Sequence, residues 1–357
     1  MIHKHLKKTI AVLLLAMLII SQTACTGQSG GQQAQTSFGE DWLLNTYCYI
    51  QTFEAGQEDL IREAFALARN YENQLSRTIA SSDIGRFNAS QGGCTVQEDT
   101  AKLLGDCRNA WELSDHMLDA TMGAVTSLWD FSAEDPQVPD AADITERLQY
   151  VGAWDRVTVS PREGDPDGLW EAHKDDEGIM LDLGAVAKGY IADRAAQLLY
   201  ENGVQRAILN FGGNVVFLGE KEDGSPWACG IEDPSEGQAE ALIQERGTVG
   251  TVSCYSQGGA VSVVTSGTYE RCFVSDGVTY HHVLDPRTGY PVETDLLSAT
   301  VIGPSSETCD ILSTTCLLLG SGKALPLIAG MESCEAVFIL TDGSILQTDG
   351  VSFSVSQ

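Results

Sequence analysis

The sequence predicts an α+β fold, and three observations carry that expectation. Glu58 to Leu75 places Leu60, Ile61, Ala64, Phe65, Ala68 and Tyr71 on one helical face. Short β-branched runs broken by glycine fill Trp227 to Tyr290, the pattern of antiparallel strands. Helices and strands mix without strict β-α-β alternation, which argues against a doubly wound parallel sheet.

The first forty residues precede that domain. Lys4, Lys7 and Lys8 form a positive patch, Ile10 to Ile20 is an apolar run, and Ser21-Gln22-Thr23-Ala24-Cys25 follows. The run is too short to span a bilayer, which takes about 20 residues, and the three parts together predict a secretory signal peptide. Cys25 after Thr23-Ala24 resembles a bacterial lipobox, although Gln22 stands where an aliphatic residue is usual. The expected organisation is a lipoprotein signal peptide over 1–24, a flexible tether over 25–39 and one domain over 40–357. Lipidation of Cys25 would anchor the chain to the bacterial cell membrane, facing outside the cytoplasm.

The 357 residues carry a net charge of −29. Removing residues 1–24 takes away three lysines and no acids, so the mature chain is more acidic still. That balance argues against duplex DNA or RNA as a partner, because phosphate backbones need clustered positive charge. Ten cysteines are present without C-x-x-C or zinc-finger spacing. Most are expected as buried thiols, with room for one or two disulfides.

Further elements follow in order. Thr100 to Leu118 repeats the helical spacing, while Ser81-Ser82-Asp83 starts a turn into Ile84-Gly85-Arg86-Phe87-Asn88. Asp130 to Asp143 and Asp165 to Glu177 read as acidic loops. Ile179 to Gly184 is an expected strand and Lys188 to Leu199 a helix ending at Asn202-Gly203. Arg206 to Asn210 and Leu297 to Ile302 are expected strands, with a helix over Ser306 to Leu319. Ala336 to Val355 reads as two strands around Thr341-Asp342-Gly343-Ser344.

Four segments carry chemistry. In Asp182-Leu183-Gly184-Ala185-Val186-Ala187-Lys188-Gly189-Tyr190 a strand meets a helix whose first turn bears a lysine, suited to phosphate. In His281-His282-Val283-Leu284-Asp285-Pro286-Arg287-Thr288-Gly289, adjacent histidines on a strand face opposite ways. One of them facing a cleft is a candidate general base, titrating near about 6.5 if unperturbed. Asp310 and Thr314 lie four apart on a helix, and both are hard oxygen ligands suited to Mg²⁺. Asp119-Ala120-Thr121-Met122-Gly123 taken alone is a turn after a helix.

Together and in this order the segments resemble the ApbE family of FAD:protein FMN transferases. Ser82 to Asn88, Asn210-Phe211-Gly212-Gly213-Asn214 and Ser266 to Arg271 extend the resemblance, which spans roughly residues 40–355. Asn214 stands where the family often has Asp, Ala124 where it often has Pro, and Cys272 where an aromatic is usual.

The resemblance implies an ApbE-like fold of mixed, mostly antiparallel sheets with flanking helices. It implies Mg²⁺-dependent transfer of FMN from FAD to a threonine or serine hydroxyl of a target flavoprotein, with AMP released. Mg²⁺ would be held by the Ala185 carbonyl, Asp310 and Thr314, and Lys188 would hold FAD phosphates. Asp182 would accept hydrogen bonds from FAD, Thr121 and Met122 would line its pocket, and Leu284 would meet it through its backbone. His282 would be the base, with His281 facing away and Asp285 orienting it. Acceptors would be subunits or domains of extracytoplasmic redox proteins, presenting Ser/Thr-Gly-Ala-Ser/Thr. A metal-dependent FAD pyrophosphatase and a non-catalytic FAD-binding lipoprotein stay open as alternatives. A substrate-binding lipoprotein of an importer would need two Rossmann-like lobes, which the pattern lacks.

Overall fold

The computed structural model describes residues 36–234 and 247–356. The expected signal peptide, Cys25 and the tether up to residue 35 lie outside the described residues. The chain opens with strands β1 (Ser37–Leu43) and β2 (Thr46–Thr52), helices α1 (Glu58–Leu75) and α2 (Asp83–Ala89), and β3 (Gly93–Val96). Helices α3 (Glu98–Leu113), α4 (Gly123–Thr126) and α5 (Ala141–Leu148) follow, then β4 (Val157–Pro161) and β5 (Trp170–Lys174). Next are α6 (Ala187–Glu201), β6 (Ala207–Phe211), β7 (Asn214–Leu218), β8 (Trp227–Glu232) and β9 (Thr248–Cys254). Then come β10 (Ala260–Gly267), β11 (Cys272–Ser275), β12 (Val278–His281) and β13 (Leu296–Gly303). The chain closes with α7 (Ser306–Leu319), α8 (Ser321–Ala329), β14 (Glu335–Leu340), β15 (Ile345–Gln347) and β16 (Ser352–Val355).

An eight-stranded sheet in the order β1-β2-β6-β7-β10-β13-β14-β15 organises the molecule, and every neighbouring pair in it is antiparallel. Alternate side chains of a strand point to opposite faces, and here both faces are buried. Val216, Leu218 and Phe338 belong to the main core with α1, α6 and α7, whereas Val215, Phe217, Val337 and Ile339 pack towards Trp227, Ile231 and Val252 of the small β16-β9-β8 sheet. Double coverage explains why Asn214–Leu218 and Ala336–Ile339 read as continuous apolar runs. The α+β expectation holds, with α1 and α7 at the expected bounds.

Several expectations are corrected. The tether cannot reach residue 39, because β1 begins at Ser37 and pairs with β2. The turn after Ser82 is a helix, with Ser82 Oγ accepting the Gly85 N–H at 2.7 Å as its cap. The second long helix stops at Leu113, since Asp115 and His116 turn left-handed at φ 56° and 66°. The loop expected over Asp165 to Glu177 contains β5. Of the three strands in the C-terminal stretch, β16 leaves the main sheet to pair with β9. Among the described residues Ile179 to Gly184 joins no sheet and makes a single parallel bridge, between Met180 and Met122. In place of a ladder, Asn88 accepts the Leu181 N–H at 2.7 Å and donates to its carbonyl at 2.9 Å. Among the described residues, no helix is long and apolar enough to cross a membrane.

Candidate active site

Three glycines let separate backbones meet around one cleft. A Cβ on Gly123 would lie 2.5 Å from the Met180 carbonyl oxygen, and one on Gly189 2.3 Å from that of Ser306. Gly289 sits at φ 74° in the Asp-Pro-Arg-Thr-Gly turn, where a Cβ would strike Ile144. These close approaches bring α4, the 179–186 segment, α6, α7 and the 281–291 turn to a common cleft of about 420 Å³.

The α6–α7 junction is the most tightly specified part. Asp193 on α6 accepts the Ser306 and Glu307 N–H groups at 2.8 and 3.0 Å and the Ser305 hydroxyl at 2.8 Å, capping α7. Near the start of α6, Gly189 N–H donates to Asp310 Oδ2 at 2.9 Å. Asp310 is buried, which lifts its carboxyl above the usual range, and the Lys188 charge opposes the rise. Lys188 Nζ donates to Asn214 Oδ1 at 3.1 Å. Because residue 214 is Asn and not Asp, it receives this bond without adding a carboxylate. One turn along α7, Thr314 Oγ1 lies 3.2 Å from Ser266 Oγ.

Ala185, Asp310 and Thr314 line the same cleft and would offer a carbonyl, a carboxylate and a hydroxyl. That hard oxygen set suits Mg²⁺ and leaves most of its shell to water and substrate phosphate. Among the described residues, no group of three or more His, Cys, Asp or Glu could hold a metal, so a cation here would depend on those outside ligands.

Asp182, Lys188, Met122, Leu284 and His282 also line the cleft. Asp182 is already engaged: Oδ2 meets Arg77 Nε and the Thr126 hydroxyl, each at 2.8 Å, and Oδ1 accepts the Gly184 N–H at 2.9 Å. Thr121 is not brought to the cleft wall. Its fully buried hydroxyl bonds both oxygens of Asp119 at 2.8 Å and accepts the Ala153 N–H, so it braces the turn.

His282 follows β12, its N–H donating to the Arg271 carbonyl at 3.0 Å. The half-buried ring has its Nδ1 buried without a hydrogen-bond partner among the described residues. Burial, then the charges of Arg271, His281 and Lys188, push the imidazole down to about 3. That lies below the 6.5 expected of an unperturbed ring, so the imidazole rests neutral at about pH 7. His281 pairs with Cys272 across β11–β12 and does not line the cleft; burial pushes it down to about 4. Asp285 does not orient His282. Its carboxylate takes the Arg287 guanidinium at 2.5 to 3.1 Å, and the main-chain N–H of Arg287 at 2.8 Å, closing the turn instead.

The sequence reading missed Arg77 as the partner of Asp182. It also missed Trp129, which lines the cleft, donates from Nε1 to the Gly289 carbonyl at 3.0 Å and stacks on Phe131 at 5.3 Å. An aromatic cluster of Trp129, Phe131, Phe273, Tyr280 and Tyr290 was legible only as scattered rings.

The ApbE family model matches residues 44–338. An FAD:protein FMN transferase of Klebsiella pneumoniae is 35% identical over 86% of this chain and 88% of its own. One from Treponema pallidum is 31% identical over 91% and 90%. The crystal structure of the ApbE protein from Thermotoga maritima superposes with a TM-score of 0.74 at 28% identity, over 88% of this chain and 97% of that one. The matched span covers every segment that lines the cleft, from Asn45 to Leu318, and the chain belongs to the ApbE family.

Proposed function

We propose that this protein is an FAD:protein FMN transferase, moving the FMN half of FAD onto a threonine or serine hydroxyl of another protein and releasing AMP. The observation that supports it most is the convergence of Lys188, Asp310, Thr314 and His282 on one cleft with apolar Met122 and Leu284. A protein that merely stored flavin would need neither a buried carboxylate beside a lysine nor an imidazole beside them.

The chain's own groups have distinct parts in this reading. Lys188 and the adjacent start of α6 hold pyrophosphate oxygens, where a cation and helix-end N–H groups favour anions. Ala185, Asp310 and Thr314 would hold Mg²⁺, which would offset charge developing on the pyrophosphate. His282 accepts the proton of the incoming hydroxyl, its basicity raised once the anionic pyrophosphate offsets the Arg271 and Lys188 charges that depress the empty site. The Arg77–Asp182 pair fixes one wall, and Asp182 meets FAD with the oxygen capacity left by Arg77, Thr126 and Gly184. The hydroxyl oxygen attacks the FMN phosphorus, the P–O bond to AMP breaks, and AMP leaves with the electron pair.

The reading extends to location. Residues 1–24 act as a lipoprotein signal peptide and Cys25 carries lipid, holding the domain outside the cytoplasm where redox-protein acceptors are exposed. Incubating the chain with FAD, Mg²⁺ and an acceptor domain tests the reaction. The acceptor gains the mass of one FMN if the reading holds and keeps its mass if it fails.

A further inference from the structure

We propose that Cys309 and Cys334 are a disulfide-forming site, a covalent staple between α7 and the segment that enters β14. The inference rests on the reading that the domain is exported, because disulfides persist in oxidising compartments.

Cys309 lies in the first turns of α7, directly before Asp310, and Cys334 directly precedes β14. Both are buried, at 0% and 4% exposure. Their sulfurs converge over Gly303, the last residue of β13: a Cβ built there would lie 3.0 Å from each Sγ. Glycine thus leaves the space in which the two thiols meet, in hydrogen-bonding contact with one another. The contact is tertiary, joining a helix to a strand entry across a third element, so it is not a by-product of neighbouring sequence.

The two thiols are unequal. Cys309 is sealed inside α7 at 0% exposure, whereas Cys334 stands at the entry to β14. Glu332 and Ser333, immediately before Cys334, are exposed, so this end of the pair lies next to solvent. Cys334 is therefore the end that an external disulfide reaches, and it reacts as its thiolate after giving its proton to solvent. It attacks one sulfur of a small-molecule disulfide or of a disulfide oxidoreductase, forming a mixed disulfide and expelling the first thiolate. The Cys309 sulfur then attacks Cys334 Sγ, loses its proton and expels the second thiolate. Two protein thiols are oxidised, one external disulfide is reduced to two thiols, and no other electron acceptor is needed.

The test uses the full chain, reduced and then treated with oxidised glutathione. The expected product is about 2 Da lighter, with one cross-linked peptide containing Cys309 and Cys334 and a raised melting temperature. Cys334→Ser and Cys309→Ser should each abolish that peptide. Wild-type mapping alone also decides the matter, should a variant fail to fold. A cross-link at another pair, such as Cys229–Cys254, or no cross-link, overturns the proposal. A second arm traps thiols in intact cells and maps the same peptides; a fully reduced pair there counts against the disulfide as the native state. Protease accessibility of the same protein on intact cells, read in parallel, separates a failed export reading from a failed pairing.

Discussion

Asp310 accepts the backbone N–H of Gly189 at 2.9 Å, so the one carboxylate of the proposed magnesium ligand set is held by the start of the helix that carries Lys188. Asp310→Ala should abolish transfer while leaving the fold largely intact, and should remove the saturable dependence of rate on Mg²⁺. A variant with wild-type magnesium dependence contradicts the assignment. Gly189→Ala places a methyl against the Ser306 carbonyl and should destabilise by about 1–3 kcal/mol, read as a lower urea midpoint.

His282→Ala should slow single-turnover transfer by about 10²–10⁴-fold, the range of general acid–base catalysis, and leave FAD affinity nearly unchanged. His281→Ala should do much less, since that ring is off the cleft wall. With His282 held down to about 3, the wild-type rate at subsaturating FAD should show no histidine limb between about pH 6 and about pH 8. A limb near neutrality that vanishes in His282→Ala would mean the ring is not kept neutral by burial. Loss of FAD binding in that variant would mean that it shapes the pocket instead.

Half-buried His281 makes stability pH-dependent with a definite sign. Its folded value of about 4 lies below the ordinary 6.5, so below that point the unfolded chain binds more protons. The stability it contributes is complete above about pH 6.5 and is lost as pH falls towards about 4. At about pH 5 the loss is about 2 kcal/mol. His281→Gln should flatten this part of the profile. Parallel acid dependences of wild type and variant, by urea denaturation at several pH values, would show that the ring is not buried neutral.

Lys174 is fully buried, and its ammonium donates to the carbonyls of Asn88, Glu177 and Ile179 at 3.3, 3.1 and 2.8 Å. These bonds brace the segment that delivers Asp182 and Ala185 to the cleft. Lys174→Met strands three acceptors, two of them part-buried, and at about 1 kcal/mol for each, the low end for an unsatisfied buried group, should cost about 3 kcal/mol. Equal urea midpoints for variant and wild type would contradict the bracing role.

Much of this arrangement was legible in the sequence because it depends on local patterns. Glu58–Leu75 and Ser306–Leu319 carry their own periodicity and end where it ends. The motif residues Lys188, His282 and Asp310 line one cleft. Features that depend on long-range partners were not legible. Arg77 reads as an ordinary surface arginine until Asp182 is placed beside it. Thr121 sits in a matching motif, yet its hydroxyl is consumed by Asp119 two residues away. The left-handed turn at Asp115-His116 truncates a helix whose apolar spacing continues past it. The depressed His282 value follows from burial among Arg271, His281 and Lys188, a set of neighbours only the fold assembles.

The most direct test of the central claim is a paired count of AMP released and FMN bound to protein. The full chain is mixed with FAD, Mg²⁺ and a domain presenting Ser/Thr-Gly-Ala-Ser/Thr, and both products are followed by mass spectrometry. The account predicts one acceptor-bound FMN for each AMP, and little AMP when the acceptor hydroxyl is removed by Thr→Ala or Ser→Ala in that domain. Free FMN and AMP appearing at the same rate without acceptor would contradict it, because water would then be the natural attacking group.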